Sequence, residues 1–172
     1  LLHKVEDAPQ LMDRCITNVL EQSQLIHAAL TRRLSMVTDL YGPATRFIAD
    51  SSIVSNAGLR FNAELRVLPV WEDISALLDQ RRNPDFSTWL SRFGEHALGT
   101  SWDDLLPQLE IVFDRVQRER GQVDGGYRNP LSALRKNVIL NDFLKRIFDL
   151  TWLEVRFGLT GNNRQLSELS PG

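Results

Sequence analysis

The stretch "LRFNAELRV", Leu59 to Val67, alternates without a fault. Leu59, Phe61, Ala63, Leu65 and Val67 are apolar, and Arg60, Asn62, Glu64 and Arg66 between them are polar. Period two is the pattern of a half-buried strand. The preceding Ser55-Asn56-Ala57-Gly58 has the composition of a turn, which sets a short β-hairpin near residues 53–68. Yet Phe61, Leu65 and Leu68 also fall at helical spacing. No other convincing strand is read in the chain, and a lone hairpin is marginal in water. The helical period is therefore preferred, with the hairpin as the alternative. The fold class that follows is mainly α, an antiparallel bundle of about five to six helices.

Working upstream, Met12 to Pro43 reads as one amphipathic helix that starts near Asp7 or Ala8, with Pro9 tolerated in its first turn. Met12, Ile16, Val19, Ile26, Leu30, Val37 and Leu40 recur at heptad spacing, interrupted by Ser23 and Arg33. Leu11, Cys15, Leu25, Ala29 and Met36 widen the stripe into a face meant for a core. The sequence Tyr41-Gly42-Pro43 is a stop signal. The resulting helix is about 33 residues, or roughly 50 Å, long. Shorter helices elsewhere leave part of it uncovered, so Leu11, Met12 and Ile16 are the candidate partner-binding residues, for a protein partner or self-association.

Downstream of Pro69, "VWEDISALLDQRR" is helical with Trp71, Ile74, Leu77 and Leu78 inward. Asn83 caps a further helix with Pro84 at its first position and a stripe of Phe86, Trp89, Leu90, Phe93 and Ala97. Ser101 and Asp104 have capping-box spacing, and Pro107 is expected to kink or delay the helix they open. Its buried side is Leu105, Leu109, Val112, Phe113 and Val116. Residues 131–157 read as a last helix, apolar around most of its circumference, with Phe143, Ile147, Phe148 and Trp152 at the centre of the bundle. One helical domain over 1–160 and a polar tail over 161–172 complete the expected organisation.

The 172 residues suffice to bury roughly 70% of the unfolded chain's surface. Twenty basic and 22 acidic side chains leave a net charge of −2, no basis for attraction to nucleic acid or an anionic membrane. No apolar run approaches a membrane span. The single cysteine, Cys15, excludes an internal disulfide framework and gives the expectation of a reducing, cytoplasmic setting. A first residue other than Met, and the ending "SELSPG", suit a segment of a larger, bacterial protein.

Catalytic constellations are weak. Cys15 and His27 are about 18 Å apart by helical rise, too far for a nucleophile–base pair, and Cys15 is assigned to the core. His3, His27 and His96 show no paired metal-ligand spacing. Glu110 and Asp114 share the flank of a helix, a solvated pair with Arg118 one turn beyond. Glu154 is the odd residue, a carboxylate inside the apolar arc of the last helix. "DGGYRNP" sets Gly125, Gly126 and Arg128 before a helix N-terminus, an anion-binding candidate without a phosphate-loop pattern. Trp71, Trp89, Phe93 and Trp152 are available to line a ligand pocket. The reading is a non-catalytic interaction or regulatory module with no cofactor or metal, and a small-molecule sensor is the alternative.

Overall fold

The computed structural model describes residues 8–50, 59–97, 101–117, 129–161 and 164–165. It is mostly helical with one small sheet. The order is α1 (Ala8–Asp50), β1 (Leu59–Val67), α2 (Trp71–Ser75), α3 (Pro84–Ser91), α4 (Phe93–His96), α5 (Trp102–Gln117), a 3-10 turn (Pro130–Ala133), α6 (Leu140–Phe148), β2 (Leu153–Gly161) and β3 (Arg164–Gln165). The chain forms two compact units, one of residues 1–27 and 67–152, the other of 28–66 and 153–172.

The stretch Leu59–Val67 is a strand, so its helical assignment is overturned. Phe61, Ala63, Leu65 and Val67 are half-buried, and Arg60, Asn62, Glu64 and Arg66 are exposed, as period two requires. Among the described residues its neighbour in the sheet is β2, far along the chain, in the order β1-β2-β3. The Leu68 N–H donates to the Trp152 carbonyl at 2.7 Å, so the end of β1 meets the start of β2. The 53–58 part of the expected hairpin lies outside the described residues. β3 pairs antiparallel with the last residues of β2, Thr160 with Gln165 and Gly161 with Arg164, within the stretch expected to be a polar tail.

The long last helix is also overturned. Pro130–Ala133 is a single 3-10 turn in which Asn129 Oδ1 accepts the Leu131 N–H at 3.0 Å. Leu134 is extended and bridges Leu78, with Asp79 N–H donating to Ala133 O and Arg135 N–H to Leu77 O, both at 2.9 Å. Only Leu140–Phe148 is α-helical. Leu150 then takes a positive φ of 48°, a left-handed turn that costs a non-glycine residue about 1 kcal/mol or more and is held here by its burial. Beyond that turn, Leu153 and Val155 are buried and Glu154 is exposed on the other face of a strand.

The opening helix runs past its expected stop to Asp50 with Pro43 inside it. The proline removes the N–H that would bond the Asp39 carbonyl. Asp39 and Pro43 are both exposed, so water can satisfy that carbonyl. Gly42 stays helical and meets nothing within 4 Å of a built Cβ.

In the first unit the expected stripes hold. Phe86, Leu90, Phe93 and Ala97 are buried, as are Leu105, Leu109, Val112, Phe113 and Val116. The Asp104 N–H donates to Ser101 Oγ at 3.2 Å, and that hydroxyl donates to the Asp104 carboxylate at 2.6 Å, opening α5 as the spacing predicts. α5 carries Pro107 within its first two turns without ending there. Trp71, Phe93 and Trp152 form the aromatic centre, with centroid separations of 4.3, 4.9 and 5.7 Å. Phe113 stacks on Phe148 at 4.3 Å. In the second unit the core is thin: Tyr41 of α1 stacks on Phe61 at 4.5 Å and on Phe157 at 6.0 Å, above half-buried neighbours.

Gly94 is set where a side chain does not fit. A Cβ there would lie 3.0 Å from Trp71 Cδ1 and 3.1 Å from Val67 Cγ1. Replacing a helical glycine by alanine ordinarily gains about 1 kcal/mol. Here the indole is pinned by Phe93 and Trp152 and has no room to retreat. Gly94→Ala is therefore expected to destabilise by about 1–2 kcal/mol net, since overpacking costs about 1–3 kcal/mol. Urea unfolding checks the sign; a stabilised variant would show that the ring yields.

Candidate functional site

The candidate partner surface sits at the start of α1, so the way that helix is held decides what it offers. Its buried residues, among the side chains described, are not apolar: they are Ser23 and His27, at 1% and 6% exposure. Ser23, one of the interruptions in the heptad series, is the anchor. Its Oγ lies 2.7 Å from the Phe148 carbonyl and 3.0 Å from that of Val19. The nearer contact ties α1 to the last turn of α6, where a helix leaves carbonyls without intrahelical donors. His27 packs one turn later against the Trp102 ring, at 5.7 Å between centroids. Polar side chains with fixed partners thus seat the helix.

The apolar side chains expected to do so are half-buried at most. Leu11 is 63% exposed and Met12 41%, with Ile16 half-buried beside them. Leu25, Met36, Leu40 and Phe47 on the same helix are between 63% and 72% exposed. Val19, Leu20, Ile26, Leu30, Leu34 and Val37 are half-buried. Cys15 is exposed, which corrects its assignment to the core.

Between α1 and α6 lies an open cleft of about 290 Å³. Val19, Leu144 and Phe148 give it apolar lining, and Asn18, Gln22, Asn141, Lys145 and Asp149 supply hydrogen-bonding groups. The sequence held a signal for it that went unread: Asn18 with Gln22, and Asn141 with Lys145 and Asp149, repeat at four-residue spacing on two helices. The cleft holds hydrogen-bond donors and acceptors, with one lysine and one carboxylate among them.

A second open cleft of about 450 Å³ runs past Leu68, Trp71, Ser91, Arg92, Gly94 and Glu95. Trp71 Nε1 is buried near it without a hydrogen-bond partner, a state that costs about 1–3 kcal/mol. The Gly94 backbone covers that edge of the indole. The aromatic residues proposed to line a pocket are spent on one another: Trp71, Phe93 and Trp152 are at most 3% exposed. Trp89, half-buried, meets Phe93 edge-on at 5.5 Å, with the Arg115 guanidinium 5.4 Å from its ring and His96 stacked at 6.1 Å.

The remaining candidates do not converge. His27 is buried against Trp102 and His96 is exposed beside Trp89, while His3 lies outside the described residues. Glu110 and Asp114 are exposed on the flank of α5, and Glu154 is exposed on β2. Gly125, Gly126 and Arg128 lie outside the described residues. Among the described residues no group of three His, Cys, Asp or Glu side chains is placed to hold a metal ion. No helix among them is long and apolar enough to cross a membrane. No family model matches the chain, and neither a curated protein nor a solved structure matches it.

Proposed function

We propose that the chain is a non-catalytic protein–protein interaction or regulatory module that docks a protein partner on the N-terminal end of α1, at Leu11, Met12 and Ile16. One observation carries the reading. Among its described side chains, a 43-residue amphipathic helix buries a serine and a histidine and leaves Leu11, Met12, Leu25, Met36, Leu40 and Phe47 exposed. Covering a Leu, Met or Phe side chain is worth about 1.5–3 kcal/mol. Leu11, Met12 and the half-covered Ile16 together hold on the order of 5 kcal/mol for a partner, before the cost of association. Isolated exposed apolar residues are ordinary on a protein surface. A cluster on successive turns of one helix, at the end seated by Ser23, is a docking face.

The test replaces Met12 and Ile16 together with Asp. The double variant is expected to keep its far-ultraviolet circular dichroism and cooperative unfolding, and to lose the partners that the wild-type chain retains in parallel pull-downs. Unfolding of the variant would assign both residues to the internal core. A folded variant that keeps every partner places the interface elsewhere.

A further inference from the structure

We propose that the outer edge of β1 pairs antiparallel with the same strand of a second copy of the chain, in a register centred on Asn62. This contact goes beyond the α1 docking face and uses none of its residues. β1 is a nine-residue strand without proline at the end of the sheet. Among the described residues no strand lies on its outer side. An open edge of that length is a template for another strand. The opposite margin differs, because β3 already turns back along the end of β2.

The direction of the backbone groups follows from one bond. The Leu68 N–H points to Trp152, towards β2. N–H and C=O groups alternate sides along a strand, so those of Phe61, Ala63 and Leu65 point outward. Two copies related by a two-fold axis can join these groups in an antiparallel ladder centred on Ala63 or on Asn62. Charge decides between them. Centring on Ala63 sets Arg60 opposite Arg66 of the second copy, a like-charge pair. Centring on Asn62 sets Arg60 opposite Glu64 of the second copy and, by symmetry, Glu64 opposite its Arg60. Directly opposed charges of unlike sign stabilise a strand pair and like charges destabilise it. Arg60, Asn62 and Glu64 are all exposed, on the face where such pairs form. On the other face Phe61 meets Ala63 of the second copy. The apolar side of the sheet, which leaves Phe157 43% and Leu159 39% exposed, is thereby extended.

Light scattering coupled to size exclusion on the whole chain, over a range of concentrations, reads the outcome. The wild-type chain is expected to approach twice its 19.7 kDa mass. Ala63→Pro removes an outward N–H and none of the bonds to β2, so it should give a folded monomer. Arg60→Glu and Glu64→Arg should each weaken the dimer roughly tenfold or more, because each places like charges opposite one another twice. Combining the two reversals restores opposite charges and should return the dissociation constant to within a few-fold of wild type. The Met12→Asp, Ile16→Asp double variant should dimerise normally. A wild-type chain that stays monomeric, a dimer indifferent to Ala63→Pro, or a double charge reversal without rescue each overturns the proposal.

Discussion

Trp152→Ala is expected to lower the unfolding free energy by about 3–5 kcal/mol, the range for a large aromatic removed from a packed core. Trp152 is 1% exposed and lies against both Trp71 and Phe93. Its indole N–H donates to the Ile147 carbonyl at 2.8 Å across the turn that joins α6 to β2. Truncation therefore opens a cavity and strands a buried acceptor at once. Trp152→Phe separates the two effects. It keeps most of the ring contact, loses the hydrogen bond, and should cost about 1–3 kcal/mol. Urea denaturation of both variants measures the difference; a Trp152→Phe chain as stable as wild type would mean that the hydrogen bond contributes nothing.

Phe143→Ala should cost a similar amount, about 3–5 kcal/mol, for a different reason. Phe143 is fully buried on α6, whose other buried residues are Ile147 and Phe148. A nine-residue helix is too short to persist by itself, so its side-chain anchors create it. Losing Phe143 should also speed amide exchange across Leu140–Phe148, and with it loosen the Phe148 carbonyl that receives Ser23. A loss below about 1 kcal/mol would contradict the place given to α6 in the core.

What the sequence revealed depended on whether a segment's partner was local. The stripes of α3 and α5 were legible because a helix makes its own backbone hydrogen bonds and displays its core face at fixed spacing. β1 showed a perfect alternation but needed a partner, and that partner was hidden. Leu153, Val155, Phe157 and Leu159 alternate with Glu154, Arg156 and Gly158, but Phe148, Trp152 and Val155 also fit a helical wheel that began earlier. Glu154, awkward on that wheel, was the trace of the wrong period: on a strand it simply faces water. The stop at Gly42-Pro43 failed because an exposed helix tolerates proline when solvent can take the freed carbonyl. The candidate surface was legible in part. Leu11, Met12 and Ile16 came from the stripe, but the burial of Ser23 and His27 did not, since the seat of the helix is a hydrogen bond to a residue 125 positions away.

The pairing of β1 with β2 also sets an order of events during synthesis. Residues 59–67 leave the ribosome long before 153–161, with the whole of 68–152 still to be made. At about 5–20 residues per second the earlier strand waits on the order of ten seconds for its mate. Throughout that interval both of its margins are open, and nascent chains on one message stand close together with identical sticky segments. The wait ends when the bond between Leu68 and Trp152 brings β2 alongside, so the long separation of the strand from its mate is a hazard of timing rather than of equilibrium.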